Sequence, residues 1–507
     1  MSRLIDECLA AWRIAVGDEY VSNQPAALQA CATATFTTSH EVVAILQPAD
    51  AAQVAECLRV AGQYGVPLYP VSRGCNWGLG SRVPTTDGCA VLDLRRMDAI
   101  TAFDETLGTV TVQPGVTFRQ VHAYLQEAGA SWFLPVIGGP SEASVIGNLA
   151  ERGDGAGPTG DRAANACGLQ VVLPDGSIIT TGFGMFAGAA MTTLSPAGPG
   201  PSLDGLFLQS GMGVIASATL FLSPIPKHLS VIRLHVAGKG ALAATLNAAR
   251  SLAFDGVLQP GCFSIWNATK VYMRGRSYPW AALGGLTPLP THGNEAAQIW
   301  YMVATIHAAS PSIGAVLSAH AAAAFTAAGA TVEVSDEASR PSLRTEAAGA
   351  LGVPDDLTAA SVYWRKRTPP PSSLAPEVDR CGVQWLCFAL PLDGAIFAEV
   401  AGYVEDAAFE HSFEAVISGP ISSPRAIHLF IALIYDRDVP GQDEAAMACH
   451  DQILGRLAQR GLHPMRLGIQ AMDHLNNASE PYAALMRSIR SAIDPHEILA
   501  PGRYAFV

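Results

Sequence analysis

Pro70-Val71-Ser72-Arg73-Gly74-Cys75-Asn76-Trp77-Gly78-Leu79-Gly80 closes an apolar run that begins at Pro67. Its glycines at 74, 78 and 80 accept backbone conformations that other residues resist, so the segment can fold into a tight turn. Successive N–H groups of such a turn point into one concavity, which binds a diphosphate without needing lysine. A glycine-rich turn alone also fits an ordinary loop, so the surrounding chain has to decide.

Upstream, Val42 to Leu46 reads as a strand. Asp50 then caps a helix, with Gln53 completing a capping box and Val54, Cys57, Leu58 and Val60 forming an apolar stripe. Downstream, Cys89 to Leu94 and Thr109 to Val112 are strands, and Thr117 with Gln120 opens a second capped helix that stops near Gly129. Two more pieces are dense in small residues, which lets a flat ring and its tail lie against main chain. One is Ser144-Val145-Ile146-Gly147-Asn148-Leu149-Ala150-Glu151-Arg152-Gly153-Asp154-Gly155, followed by the strand Leu169 to Leu173. The other is Gln209-Ser210-Gly211-Met212-Gly213-Val214-Ile215, running on toward Pro224. The stretches Leu206 to Pro224 and Ile427 to Tyr435 read as buried strands, since neither suits a bilayer crossing. From about Pro226 the chain becomes rich in alanine, with helices over Leu242 to Ala253 and Leu317 to Ala328 and strands at Thr331 to Val334 and Trp385 to Leu390. This reads as a second domain in an α+β protein. No Gly-x-Gly-x-x-Gly joins a strand to a helix ahead of a spaced acid, which argues against a Rossmann fold.

At 507 residues, 49% of them hydrophobic and 15% charged, the chain exceeds what one core accommodates and suits a packed two-domain enzyme. A formal charge of −13 offers no footprint for nucleic acid or an anionic membrane. Acidic residues interrupt the first apolar run, so a cytoplasmic location is expected. The ten cysteines form no CxxC pair and no Cys/His spacing suited to zinc, so neither metal nor disulfide framework is expected.

The three small-residue pieces, in this order and spacing, resemble the vanillyl-alcohol oxidase and p-cresol methylhydroxylase family of FAD enzymes. Asp473-His474-Leu475-Asn476-Asn477 and Ile493-Asp494-Pro495-His496-Glu497-Ile498-Leu499-Ala500-Pro501-Gly502-Arg503 resemble that family's returning C-terminal segment. The resemblance implies a two-part FAD-binding domain over residues 1–226, an antiparallel-sheet cap over 227–459 and a tail, 460–507, that returns to the FAD domain. Pro70, Ser72, Arg73, Gly74, Cys75, Asn76, Trp77, Gly78 and Leu79 would face the pyrophosphate. Ser144, Gly147, Asn148, Glu151 and Gly153 would face the ring and its chain, Gly213, Val214 and Ile215 the adenine side, and Arg503 the ring edge. Family members often attach FAD through His or Tyr. Cys75, Asn76 and Val383 stand at the matching positions here, so non-covalent FAD is expected.

This chain departs from the phenol-oxidising members. Leu79, Ala156 and Met465 stand where their phenolate-binding tyrosines would be, and only Arg466 is retained. Phenol oxidation is therefore not carried over. Arg466 is assigned to a substrate oxyanion or to the charge of the reduced ring. His428, on a cap strand, is assigned to proton removal, and Glu142 takes the place of a carboxylate that relatives bring to the reactive nitrogen. Trp385, Trp364 and Tyr363 are candidate cap-side walls. The expected activity is hydride removal from an alcohol, amine or activated C–H carbon of a small molecule, with dioxygen as acceptor, in a homodimer or larger homo-oligomer of secondary metabolism. Electron delivery to a protein acceptor and a redox-neutral or non-catalytic flavoprotein are the alternatives.

Overall fold

The computed structural model describes residues 2–283 and 299–506. The first strands form a small sheet in the order Val21–Ser22, Val42–Leu46, Cys89–Asp93, Leu68–Val71. Both pairings made by Cys89–Asp93 are parallel. A parallel arrangement needs a crossover, and helix Ala51–Tyr64 supplies the one between Val42–Leu46 and Leu68–Val71. Asp50 caps that helix by accepting the Gln53 amide at 2.9 Å. Gln53 does not close the box on Asp50; its side-chain oxygen takes the Ala49 amide at 2.8 Å, so the chain is pinned one residue earlier. Val54, Cys57 and Leu58 face the sheet and helix Ser2–Val16, where the Trp12 indole donates to the Cys57 carbonyl at 3.0 Å.

A second sheet is antiparallel throughout, in the order Ile100–Asp104, Thr109–Val112, Val214–Phe221, Ala166–Val172, Ile178–Thr180. The Thr117/Gln120 box is complete and opens helix Phe118–Glu127. The long strand expected from Leu206 starts only at Val214. Leu206 and Phe207 belong to a short helix, Asp204–Phe207, and the glycines at 211 and 213 make the turn between them.

The third sheet has eight antiparallel strands: Thr331–Asp336, His228–Ala237, Ile299–Ala308, Phe263–Asn267, Val416–Ser423, Ala426–Asp436, Cys381–Pro391 and Pro464–Arg466. Its last strand comes from the segment assigned above to the returning tail. Period-two alternation sends Leu386, Phe388, Leu390, Ile427, Leu429 and Ile431 to one face. There they meet helices Lys239–Phe254, Pro311–Ala327, Gly394–Glu410 and Gln442–Ala458 in one extended core. The same alternation turns Trp385, Cys387 and Phe430 the other way, toward the first two sheets.

After helix Glu480–Ile493 the chain returns to the first sheet. The buried Asp494 carboxylate accepts the Ile498 and Leu499 amides at 3.1 and 2.9 Å and so holds a tight turn. The Leu68 amide then donates to the Ile498 carbonyl, and the Ala500 amide to the Leu68 carbonyl, each at 2.8 Å. The tail thus covers the exposed edge of the strand that leads into the glycine-rich turn.

Candidate active site

A cavity of about 1100 Å³ lies between the glycine-rich turn, helix Val145–Ala150, the 213–215 segment and the inner face of the eight-stranded sheet. Pro70, residues 72–77 and Leu79 line it, with Ser144, Gly147, Asn148, Glu151, Gly213, Val214, Ile215 and Arg503. Gly78 and Gly153 are not at its surface. Gly78 works underneath: at φ 76° it donates its amide to Thr35 Oγ1 at 2.9 Å and accepts the Trp385 amide at 3.1 Å. A β-carbon there would run into the Trp385 ring.

The turn presents main chain to the cavity. None of the amides of residues 73–77 donates to a protein acceptor among the described residues. Such groups need an external partner, and a diphosphate supplies one. Ser144 caps the facing helix, accepting the Gly147 amide at 2.8 Å and donating to the Pro114 carbonyl at 2.6 Å. At Gly147 a β-carbon would stand 2.5 Å from Ser72 Oγ, so glycine lets helix and turn close together.

Glu151 ties the pieces to one another. Its carboxylate pairs with Arg503 and accepts the Tyr504 hydroxyl at 3.1 Å, joining the tail to the helix end. Its carbonyl accepts Arg466 Nε at 2.9 Å. Arg466 sits on the eighth cap strand opposite Cys387, lines the cavity, and has a buried Nη2 with no hydrogen-bond partner. Leu79 and Ala156 also line the cavity, without a hydroxyl. Met465 is not a lining residue, but its carbonyl accepts Gln209 Nε2 at 2.9 Å.

His428 is held by a residue that sequence reasoning did not select. Its Nδ1 lies 2.7 Å from Asp154 Oδ2, with the side chains only 14% and 12% exposed. Asp154 lines the cavity and His428 stands behind it. Arg162 was also missed. It is fully buried, donates to Asn148 Oδ1 at 3.2 Å and to the Pro135 carbonyl at 2.6 Å, and burial pulls its pKa down to about 10. It fixes the Asn148 amide against the cavity. No local pattern in Thr159-Gly160-Asp161-Arg162 signals that role.

Other assignments are not brought together. Glu142 lies outside the cavity, half-exposed, paired with Arg73 at 3.3 Å and Arg119 at 2.6 Å. Two arginines and the Asp356 carboxylate beyond them make it part of a rim ion-pair cluster. Trp385 lines the cavity, whereas Tyr363 and Trp364 are buried in an apolar cluster with Val383. The Cys75 thiol is pushed up to about 11 by burial and is therefore protonated at neutral pH, which leaves it a poor nucleophile. Among the described residues no cluster of three or more His, Cys, Asp or Glu could hold a metal, and no helix is long and apolar enough to cross a membrane.

Free amides at a glycine turn, a second wall of small residues and a continuous cavity between them fit an extended FAD. The comparisons agree. Residues 42–182 match an FAD binding domain family. The chain is 39% identical to 1′-carboxy-chondrochloren decarboxylase of Chondromyces crocatus, across 99% of this chain and 97% of that protein. It is 24% identical to the 4-cresol dehydrogenase flavoprotein subunit of Pseudomonas putida, across 89% of this chain and 85% of that one. In fold it matches p-cresol methylhydroxylase with substrate bound at a TM-score of 0.89 and 22% identity, covering 100% of this chain and 98% of the other. With its free amides, its antiparallel cap and this end-to-end likeness, the chain belongs to the vanillyl-alcohol oxidase and p-cresol methylhydroxylase family of FAD-dependent oxidoreductases.

Proposed function

We propose that this chain oxidatively decarboxylates a small organic acid. A hydride leaves the carbon adjacent to the carboxylated one, the carboxyl group departs as CO2, and a carbon–carbon double bond remains. FAD, when bound, supplies the two-electron acceptor for that hydride, and we take dioxygen as the final oxidant. Charge balances without a base. The electron pair of the breaking C–COO⁻ bond fills the carbon that lost hydride, so CO2 departs where another oxidation would release a proton.

The observation that carries this reading is Arg466, a cavity-lining guanidinium whose Nη2 is buried and unpartnered. Its length-spanning likeness to a decarboxylase adds support. Arg466 Nε is committed to the Glu151 carbonyl, so the side-on fork that grips a carboxylate with two bonds is not available. A looser contact suits a group that must lose its charge, because a full ion pair would stabilise the carboxylate against departure. Leu79 and Ala156 add apolar lining to the same cavity, and an apolar surface favours the neutral CO2 over the anion. His428, standing behind the lining, is proposed to hold the Asp154 carboxylate in place rather than to accept a proton. Non-covalent FAD is part of the proposal, since Cys75 is protonated and Val383 offers no nucleophile.

The test uses the flavin-loaded protein, held anaerobically, with a panel of carboxyl-labelled aryl- and acylpropanoates. Bleaching of the flavin with matching release of labelled CO2 is expected. Bleaching without CO2 would replace this reading with plain dehydrogenation, and CO2 without bleaching would make the reaction redox-neutral. Peroxide formed on admitting air identifies dioxygen as acceptor. Yellow colour retained in an acid-precipitated pellet would contradict non-covalent binding.

A further inference from the structure

Among the described residues six cationic side chains line the cavity, and four of them are already neutralised. Arg73 pairs with Glu142, Arg233 with Glu333 and Glu346, Arg274 with Asp355 and Arg503 with Glu151. Two are not. Arg466 has only a main-chain carbonyl, and Lys270 has no side-chain hydrogen bond or ion pair among the described residues.

Lys270 is not a loose surface chain. It lies in helix Ala268–Met273, and its amide donates at 3.1 Å to Oδ1 of the capping residue Asn267. Asn267 is itself buried and fixed on both sides, donating to the Ala415 carbonyl at 2.8 Å and accepting the Ile417 amide at 3.1 Å. The Lys270 ammonium reaches 5.7 Å from the centre of the Trp385 ring. Burial, helped by the like charge of Arg274, pulls its pKa down to about 8. A desolvated cation without a counter-ion is costly, and an arriving anion recovers that cost.

Trp385 and Cys387 are two residues apart on one face of their strand, and Arg466 stands opposite Cys387. Lys270 therefore meets the cavity beside the Trp385 ring, and Arg466 meets it beside Cys387, two residues further along the same face of that strand.

We infer that Lys270 is a second anion-binding point of the cavity, so that the substrate bears an anionic oxygen besides the carboxylate at Arg466, with a flat, conjugated segment against Trp385. The inference rests on the proposed role of Arg466 and adds the class of substrate: a molecule with two anionic groups, of which the one at Lys270 is not the departing carboxyl.

Calorimetric titration of the flavin-loaded protein with biphenyl-4,4′-dicarboxylate and biphenyl-4-carboxylate tests this. The dicarboxylate is expected to bind about tenfold tighter, the worth of one charge-assisted contact. Lys270→Met should abolish that advantage while leaving the monocarboxylate and the flavin content unchanged, and Lys270→Arg should retain it. Equal affinities in the parent protein, no binding of the dicarboxylate, or an advantage that survives Lys270→Met would overturn the inference. Arg466→Met separates the two claims: monocarboxylate affinity unaffected by that change would defeat the assigned role of Arg466, whereas the Lys270 dependence is read from the difference between the probes.

Discussion

The two walls of the cavity leave different things unpaired. On the side of the glycine-rich turn the groups without a partner among the described residues are main-chain amides, 73–77, while the charged side chains there, Arg73, Glu151 and Arg503, are matched to one another or to the rim. On the cap side the main chain is consumed by sheet pairing, and the free groups are the side-chain cations Arg466 and Lys270. A wall of amides suits a ligand that is always the same. A wall of side chains can change its specificity by substitution while the sheet beneath stays intact.

The largest effect that would break this comparison is at Gly147. Gly147→Val forces atoms against Ser72, and we expect the purified protein to lose at least about nine-tenths of its flavin absorbance while the cap stays folded. A fully yellow variant would mean that the close approach of helix and turn is dispensable. Arg466→Met should keep its flavin yet bleach it about 10²–10³-fold more slowly with substrate, the usual loss when one charge-stabilising donor is removed. Loss of flavin instead would move Arg466 to the glycine-rich wall.

His428→Gln discriminates between chemistries. If CO2 departs in place of a proton, the rate should fall less than about tenfold, whereas a general base would cost about 10²–10⁴-fold. At the seam between the walls, His307 lies against Phe133 with both ring nitrogens buried and unpartnered. Burial, with a smaller contribution from Arg344, pulls its pKa from 6.5 down to about 4. The unfolded chain therefore binds the extra proton between those values, and stability is lost as pH falls from about 6.5 toward 4, by up to about 1.4 kcal/mol per pH unit. His307→Leu should flatten that slope, read as urea midpoints at pH 7 and pH 5. The smallest effect is expected at Glu142, where Glu142→Gln should change turnover by less than about twofold because the carboxylate itself lies outside the cavity and its ion pairs are half-exposed.

Glycine-built main chain leaves a local trace, and that is why the glycine-rich wall of the cavity was legible. Glycines at fixed places in contiguous segments and the Thr117/Gln120 box announce their geometry within a few residues. The cap wall leaves no such trace. Asp154 and His428 are 274 positions apart, and Glu151 and Arg466 are 315 apart, so only the sheet order makes them neighbours. Lys270, in a six-residue helix, looks like any solvated charge until Trp385 arrives from another strand. The placement of Glu142 outside the cavity was illegible for a related reason: sequence puts a carboxylate on the loop, but Arg73 and Arg119 decide which way it turns.

The junction of Leu68 with Ile498 and Ala500, and the grip of Glu151 on Arg503 and Tyr504, carry a consequence for biogenesis. The tail side of the cavity is complete only once residues 498–504 have been made, more than 400 residues after the glycine-rich turn. Cofactor capture is therefore expected late in synthesis, and a polypeptide cut short before Ile498 would lack both the strand-edge pairing and the Arg503 and Tyr504 contacts to Glu151.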